Sequence, residues 1–151
     1  MYLEAEKYVS GWKHDSEEDR GLYAKFIEST GMKELACVGC PSITVSVPVA
    51  YWRKANAIHS WFVNTLADGV DDCKRIYVTC EQLKELADLA AKTLACYESG
   101  NKGGAGVLLP PLGGFFFGST ELDDAYAEDL RDTIRQVTPL LNSEKKDLSF
   151  Y

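Results

Sequence analysis

The chain has 151 residues, of which 46% are hydrophobic and 26% are charged. That length and composition fit one folded domain with a real core and argue against intrinsic disorder. Its 16 Lys and Arg against 23 Asp and Glu give a formal net charge of −7. This balance argues against binding to nucleic acid or to a membrane surface, because both need a basic face. A pocket for one small anion needs only a few local Arg or Lys side chains and stays possible.

The N-terminal segment and the hydropathy pattern indicate where the protein is found. No apolar run approaches the roughly 20 residues that span a bilayer. Charges within residues 1–7 come too early for a signal peptide. We therefore expect the protein to stay in the cytoplasm in which it is made.

The five cysteines are an odd number, which predicts free thiols in place of a disulfide framework. Cys37 and Cys40 have the spacing of a zinc-ligand pair. Cys73 and Cys80 are too far apart in sequence to supply the second tight pair that a structural zinc site uses. We therefore expect no metal site.

The first third of the chain predicts a strand, a helix and a second strand. Weak alternation over residues 2–9 predicts the first strand. Ser16, followed by acidic residues, predicts the N-cap of a helix that ends at Gly31. Residues 42–47 alternate Ile or Val with Ser or Thr and predict the clearest strand, which Pro48 ends.

The middle of the chain predicts two helices and a loop. Residues 51–66 contain neither Gly nor Pro and carry an apolar stripe at helical spacing. Residues 75–78 predict a short strand, and Thr79 predicts the capped start of the next helix. The glycines of residues 100–106 predict a flexible surface loop.

The last third predicts a buried strand, a helix and a tail. The three phenylalanines at 115–117 predict a short buried strand. Thr120 predicts the N-cap of a helix that reaches about Asn142, and Pro139 predicts a kink or an early end. We expect an α+β fold in which a small antiparallel or mixed sheet of short strands packs against about four helices. A single domain would cover residues 1–142, and residues 143–151 would be a loosely ordered tail.

The block of residues 51–63 carries the most chemistry. On a helix, Trp52, Asn56 and His59 would lie along one edge, with Arg53 beside them. An indole for stacking, a guanidinium for anion contact, and an amide and an imidazole for hydrogen bonding suit a planar ligand that carries phosphate. The alternative is that Trp52 packs in the core, His59 is a core histidine, and Arg53 is solvated.

Two further functions stay open. The motifs of the common hydrolases and phosphate loops are absent, so an enzyme would have to use His59 with Asp71 or Asp72 as a small hydrolase or lyase. A protein inhibitor would instead dock on a basic host factor through the acidic last helix. The acidic residues of that helix and its approach are Glu121, Asp123, Asp124, Glu128, Asp129 and Asp132.

The block 51–63 (YWRKANAIHSWFV), with residues 68–73, 108–110 and the turn 114–119 (GFFFGS), resembles a family of small bacteriophage and prophage proteins. The resemblance covers about residues 1–142. It implies a phage origin and hence a bacterial host cytoplasm. It transfers no catalytic residue.

From these observations we expect a phage accessory protein that is not an enzyme and uses no cofactor. It would bind a small, anionic, nucleotide-like ligand and so counter host defence signalling, or else bind a host defence protein. Binders of this kind often work as homo-oligomers, with pockets between subunits. The ligand-binding residues that we expect are Trp52, Arg53, Asn56, His59, Asp72, Phe117 and Ser119.

Overall fold

The computed structural model of the chain describes residues 1–113, 119–142 and 148–151. The three strands of this part are β1 (Tyr2–Ser10), β2 (Ser42–Tyr51) and β3 (Ser149–Phe150). Its five helices are α1 (Glu17–Ser29), α2 (Asn56–Leu66), α3 (Cys80–Glu98), α4 (Lys102–Leu108) and α5 (Asp124–Leu141). The strands form one antiparallel sheet in the order β2-β1-β3. The small α+β fold that the sequence predicts is therefore confirmed.

Strand β2 is longer than the sequence predicts. It pairs antiparallel with β1, and the pairing shifts by one residue, so that Leu3 lies opposite Ala50 and Glu4 lies opposite Pro48. The prediction that Pro48 ends the strand is wrong, since β2 continues to Tyr51. Proline is tolerated here because β2 is an edge strand with an irregularity, where a missing N–H breaks no ladder hydrogen bond.

Two residues of the segment expected to be a loosely ordered tail, Ser149 and Phe150, form β3. In β3, Phe150 pairs with Ala5 of β1 and is only 3% exposed. The Val78 N–H donates to the Phe150 carbonyl at 2.9 Å. The sequence predicts a strand over residues 75–78, and the structure has an isolated β-bridge at Val78 in its place. A strand of two residues is too short to show an alternating pattern, so no sequence signal predicts β3. Residues 143–147 lie outside the described part.

Local signals place the starts of two helices correctly. The Ser16 hydroxyl accepts from the Asp19 N–H at 3.0 Å, as expected of the α1 N-cap. Thr79 and Gln82 form the predicted capping box of α3. Each side chain accepts a hydrogen bond from an N–H group that the helix itself leaves unpaired.

The core lies where α3 and α5 pack against each other and against the sheet. Leu83 and Leu86 of α3 and Leu130 and Val137 of α5 are fully buried. Burying such side chains is the largest favourable contribution to folding, about 1.5 to 3 kcal/mol for each. This packing holds the two longest helices as one layer behind the sheet.

The N-cap of α5 is Asp123, and the prediction of Thr120 is wrong. The Asp123 carboxylate accepts from the Tyr126 N–H at 3.0 Å. A carboxylate also interacts favourably with the positive end of the helix dipole, which a hydroxyl does not. The helix runs two residues beyond Pro139, which therefore does not end it early.

The glycine-rich segment predicted as a flexible loop forms most of α4. Asn101 caps this helix, since its side-chain oxygen accepts from the Gly104 N–H at 2.9 Å. A Cβ on Gly104 would lie 2.8 Å from the Cys96 sulfur, so the glycine allows close packing against α3.

The buried Tyr126 hydroxyl donates to the Leu109 carbonyl at 2.8 Å, and burial raises the pKa of Tyr126 to about 12.

None of the five described helices combines the length and the apolar character needed to cross a membrane.

The burial of Phe150 leads to a prediction about stability. We expect Phe150→Ala to lower the free energy of unfolding by about 3 kcal/mol, because it removes a ring that is buried in the hydrophobic core. Urea denaturation measures this value. Its neighbour provides the control, since Ser149→Ala should change it by less than about 0.5 kcal/mol. If both substitutions change the free energy of unfolding by less than about 0.5 kcal/mol, the buried ring of Phe150 contributes little to stability.

Candidate functional site

A cavity of about 610 Å³ lies between the start of β1, the start of α2 and the segment of residues 70–78. Its volume falls within the range of about 300 to 1,000 Å³ that is usual for small-molecule sites. Its wall combines apolar and aromatic side chains with polar and charged ones. Among its residues are Tyr2, Lys54, Asn56, His59, Asp71 and Tyr151.

The helix predicted from Tyr51 begins only at Asn56, so Trp52 precedes it. Lys54 has a left-handed backbone conformation (φ 60°), which an α-helix cannot contain. Trp52 is 3% exposed, and its Nε1–H donates to the Thr133 hydroxyl at 2.9 Å. Trp52 thus belongs to the core and forms the cavity floor, with almost no ring surface for a ligand to stack on.

The turn before α2 also decides which cation reaches the cavity. Arg53 is exposed and is not among the described residues that line the cavity, whereas Lys54 lines it. Neither side chain has an ion-pair partner within the described residues. The sequence led to Arg53 because a continuous helix was assumed. The sequence does not predict a left-handed backbone conformation at a lysine, because only Gly, Asn and Asp adopt it often enough to indicate it.

His59 and Asp71 meet at the cavity wall. The His59 Nε2 lies 3.0 Å from the Asp71 Oδ2, and the His59 side chain is 22% exposed. A carboxylate in this position orients the imidazole and favours a proton on the nitrogen that faces it. The two residues were paired in the hydrolase or lyase hypothesis. Among the described residues, no three metal-binding side chains converge to hold a metal ion.

Asp72 and Cys73 follow on the same wall. The Asp72 carboxylate forms an ion pair with the Lys74 ammonium, and this hydrogen bond lowers the pKa of Asp72. Cys73 has φ 59°, so it and Lys54 are two left-handed non-glycine residues lining one cavity. Such a conformation costs about 1 to 2 kcal/mol per residue and is found preferentially at functional sites.

Arg75 is the main wall residue that sequence reasoning missed. Its Nη2 lies 2.9 Å from the Glu4 Oε2 and 2.8 Å from the Glu6 Oε1. Its guanidinium carbon also lies 4.6 Å from the centre of the Tyr151 ring. The hydrogen bond to Glu6 raises the pKa of Arg75. Arg75 thus ties the wall to β1 and to the C-terminal residues, a role that a lone arginine in the sequence does not indicate.

The remaining predicted site residues are spread over different surroundings. Asn56 is 5% exposed, and its side-chain N–H donates to the Ser119 carbonyl at 2.5 Å. It therefore anchors the chain before α5. Ser119 is exposed and is not among the described lining residues. Phe117 lies outside the described residues, as does the strand predicted at 115–117.

Part of the acidic surface of α5 is engaged in ion pairs. Arg131 lies 2.8 Å from Glu98 of α3 and 3.3 Å from Glu128, and Arg135 lies 2.7 Å from Asp132. These pairs offset some of the negative charge that the docking hypothesis relies on.

Comparisons of the chain with protein-family models, with curated proteins and with solved structures find no match. The resemblance to bacteriophage and prophage proteins therefore stays a prediction.

Asp129 leads to a prediction about pH. Burial, together with the charges of Asp132, Asp123 and Glu128, raises the pKa of Asp129 to about 6. Its folded-state pKa exceeds the unfolded value, so this group contributes stability at low pH that is lost as the pH rises through about 6. We expect Asp129→Asn to raise the stability by about 2 kcal/mol at pH 7 and by almost nothing near pH 4.

Thermal unfolding at the two pH values measures this difference. The control is Asp88→Asn, which changes an exposed carboxylate on α3 and should have little effect at either pH. A gain for Asp129→Asn that does not depend on pH would contradict the prediction.

Proposed function

We propose that the chain binds a small, anionic, nucleotide-like ligand in the cavity between β1, α2 and residues 70–78. The observation that carries the proposal is the position of Lys54. It lines the cavity beside the His59–Asp71 pair, and it has no carboxylate partner within the described residues.

The charge distribution of the wall supports an anion at Lys54. Lys74 is paired with Asp72, and Arg75 is shared between Glu4 and Glu6. Lys54 is therefore the one Lys or Arg side chain of the described wall that has no carboxylate partner. A charge at the mouth of a partly desolvated cavity interacts more strongly with a ligand than one in open water.

The start of α2 also favours an anion. Its N-cap, Ala55, makes no side-chain capping hydrogen bond, and the first turn contains no acidic residue. Ala55 and Asn56 both line the cavity. A helix N-terminus carries unpaired N–H groups and a partial positive charge, and both attract phosphate.

The remaining wall suits the planar and polar parts of a nucleotide. Tyr2 is 63% exposed and, with Tyr151, offers ring surface to a base, in place of the buried Trp52. His59 and Asp71 can hydrogen-bond a ribose hydroxyl or a base edge. The wall thus combines apolar and aromatic surface with polar groups that can orient a ligand.

The resemblance to phage proteins supports a biological role for this binding. In a bacterial host cytoplasm, a phage accessory protein that retains a nucleotide signal would blunt the defence that depends on it. This part of the proposal rests on the block of residues 51–63 and not on the cavity. A homo-oligomer would suit such a role.

A thermal-shift titration with nucleoside monophosphates, with the uncharged nucleosides as controls, tests the proposal. At a concentration 100 times the Kd we expect a stabilisation of about 2.7 kcal/mol, or about 5 to 10 °C in Tm. We expect Lys54→Gln to weaken phosphate binding about tenfold, because it removes about 1.4 kcal/mol of charge interaction.

The matched control is Arg53→Gln, which changes the neighbouring cation outside the cavity and should alter the Kd by less than about twofold. The proposal fails if no nucleotide shifts the Tm, or if the two substitutions weaken binding equally.

The contact between His59 and Asp71 also favours a second function, a small hydrolase or lyase. In that function His59 would transfer a proton while Asp71 orients its ring. Incubating the same nucleotides with the protein and separating products by chromatography measures turnover. We expect His59→Gln to abolish turnover and Asp72→Asn to retain it. A ligand that binds but is never converted would exclude this function.

A further inference from the structure

A second cavity, of about 600 Å³, lies between the end of β1, α1 and the segment of residues 33–41. Among the described residues, it shares no lining residue with the first cavity. Tyr23 of α1 packs so closely on Gly11 that a Cβ there would lie 2.5 Å from its ring. This contact holds α1 against the residues that follow β1, and both Tyr23 and Gly11 line the cavity.

Cys37 lies on the wall of the second cavity, and Cys40 lies one turn further along the chain. The Cys40 N–H donates to the Cys37 carbonyl at 3.3 Å, which closes the Cys-Val-Gly-Cys segment into a turn. Both thiols are free and exposed. Two cysteines held this way face solvent and reagents together, unlike Cys80, which is also exposed but has no neighbouring cysteine in sequence.

The two thiols differ in acidity. A hydrogen bond from the Cys40 thiol, with further ones from the Gly39 and Cys40 N–H groups, lowers the pKa of Cys37. The same thiol contact raises the pKa of Cys40. Thiolate is the reactive form, so the first cysteine is favoured as the attacking group and the second retains its proton.

The charged side chains of the second cavity indicate which class of small molecule would fit. Lys13 and Lys33 line it, and neither has an ion-pair partner within the described residues. Glu28 is the one acidic residue among its described lining. Trp12 is exposed there and adds an apolar surface. This combination suits a small, flexible molecule that carries carboxylates.

We propose that Cys37 and Cys40 form a redox-active dithiol that exchanges with small disulfides carrying carboxylates, such as glutathione disulfide. The Cys37 thiolate attacks one sulfur of the disulfide, forms a mixed disulfide and releases one glutathione thiolate. Cys40 then loses its proton and attacks the Cys37 sulfur, which expels the second glutathione. Two protein thiols are oxidised to one disulfide, and one glutathione disulfide is reduced to two glutathiones, which take up the two protons.

The test incubates the full, reduced chain with glutathione disulfide at pH 7, stops the reaction with acid and an alkylating agent, and maps each cysteine by peptide mass spectrometry. We expect an intramolecular Cys37–Cys40 disulfide. In Cys40→Ser the reaction should stop at glutathione bound to Cys37. In Cys37→Ser, Cys40 should form the mixed disulfide more slowly than Cys37 does in Cys40→Ser, because Cys37 is the thiol favoured as thiolate.

The two single variants, Cys37→Ser and Cys40→Ser, are the matched comparison, because each leaves one exposed thiol of the same turn. Equal rates of mixed-disulfide formation in the two variants, or a mixed disulfide that Cys40 never resolves in the unchanged chain, would overturn the proposal. Formation of the disulfide only with a protein disulfide as oxidant would overturn the assignment of a small substrate.

A charge reversal tests the role of the cavity. Lys33→Glu should slow the reaction with glutathione disulfide about threefold or more and leave the reaction with the neutral disulfide of mercaptoethanol unchanged. Lys25→Glu alters an exposed lysine of α1 away from the cavity and is the matched control. Equal slowing by both substitutions would assign the effect to net charge and not to the cavity.

Discussion

The backbone pairing of Phe150 is the constraint on which the first cavity depends. It joins β3 to the middle strand of the sheet, and the Phe150 carbonyl accepts a hydrogen bond from the Val78 N–H at the end of the cavity wall. The next residue, Tyr151, exchanges two backbone hydrogen bonds with Glu4 and lies under the guanidinium of Arg75. These contacts hold the N-terminal strand, the segment of residues 75–78 and the C-terminal residues together. The wall of the first cavity lies between these segments, so its shape depends on their pairing.

The sequence predicts well those features that neighbouring residues determine. The first strand, the Ser16 cap and the capping box at Thr79 depend on residues within four positions of one another. Features set by distant contacts were missed. The strand of Phe150 exists because β1 offers it a partner, and the glycines of α4 are close-packing residues because α3 lies against them.

The candidate site also contains features that local sequence predicts and features that depend on distant contacts. Sequence reasoning brought His59 and the nearby carboxylates together, because a helix and the turn after it are close in space whatever the rest of the fold. It expects Trp52 and Arg53 on the edge of a helix, but the left-handed residue Lys54 precedes that helix. Trp52 therefore lines the cavity with its ring buried, and Arg53 is not among the described lining residues. Arg75 acts through carboxylates about seventy positions away, and no local pattern indicates such a pairing.

The position of Pro48 has a consequence for how molecules of this protein meet one another. In the described sheet, β2 is an edge strand of ten residues, and a long edge is a template for pairing with a second chain. Pro48 offers no N–H to such a chain, the irregularity beside it bends the edge, and the Tyr51 N–H is already bonded to Gln136 at 2.7 Å. The end of β2 from Pro48 to Tyr51 therefore resists edge-to-edge pairing with a second copy of the sheet.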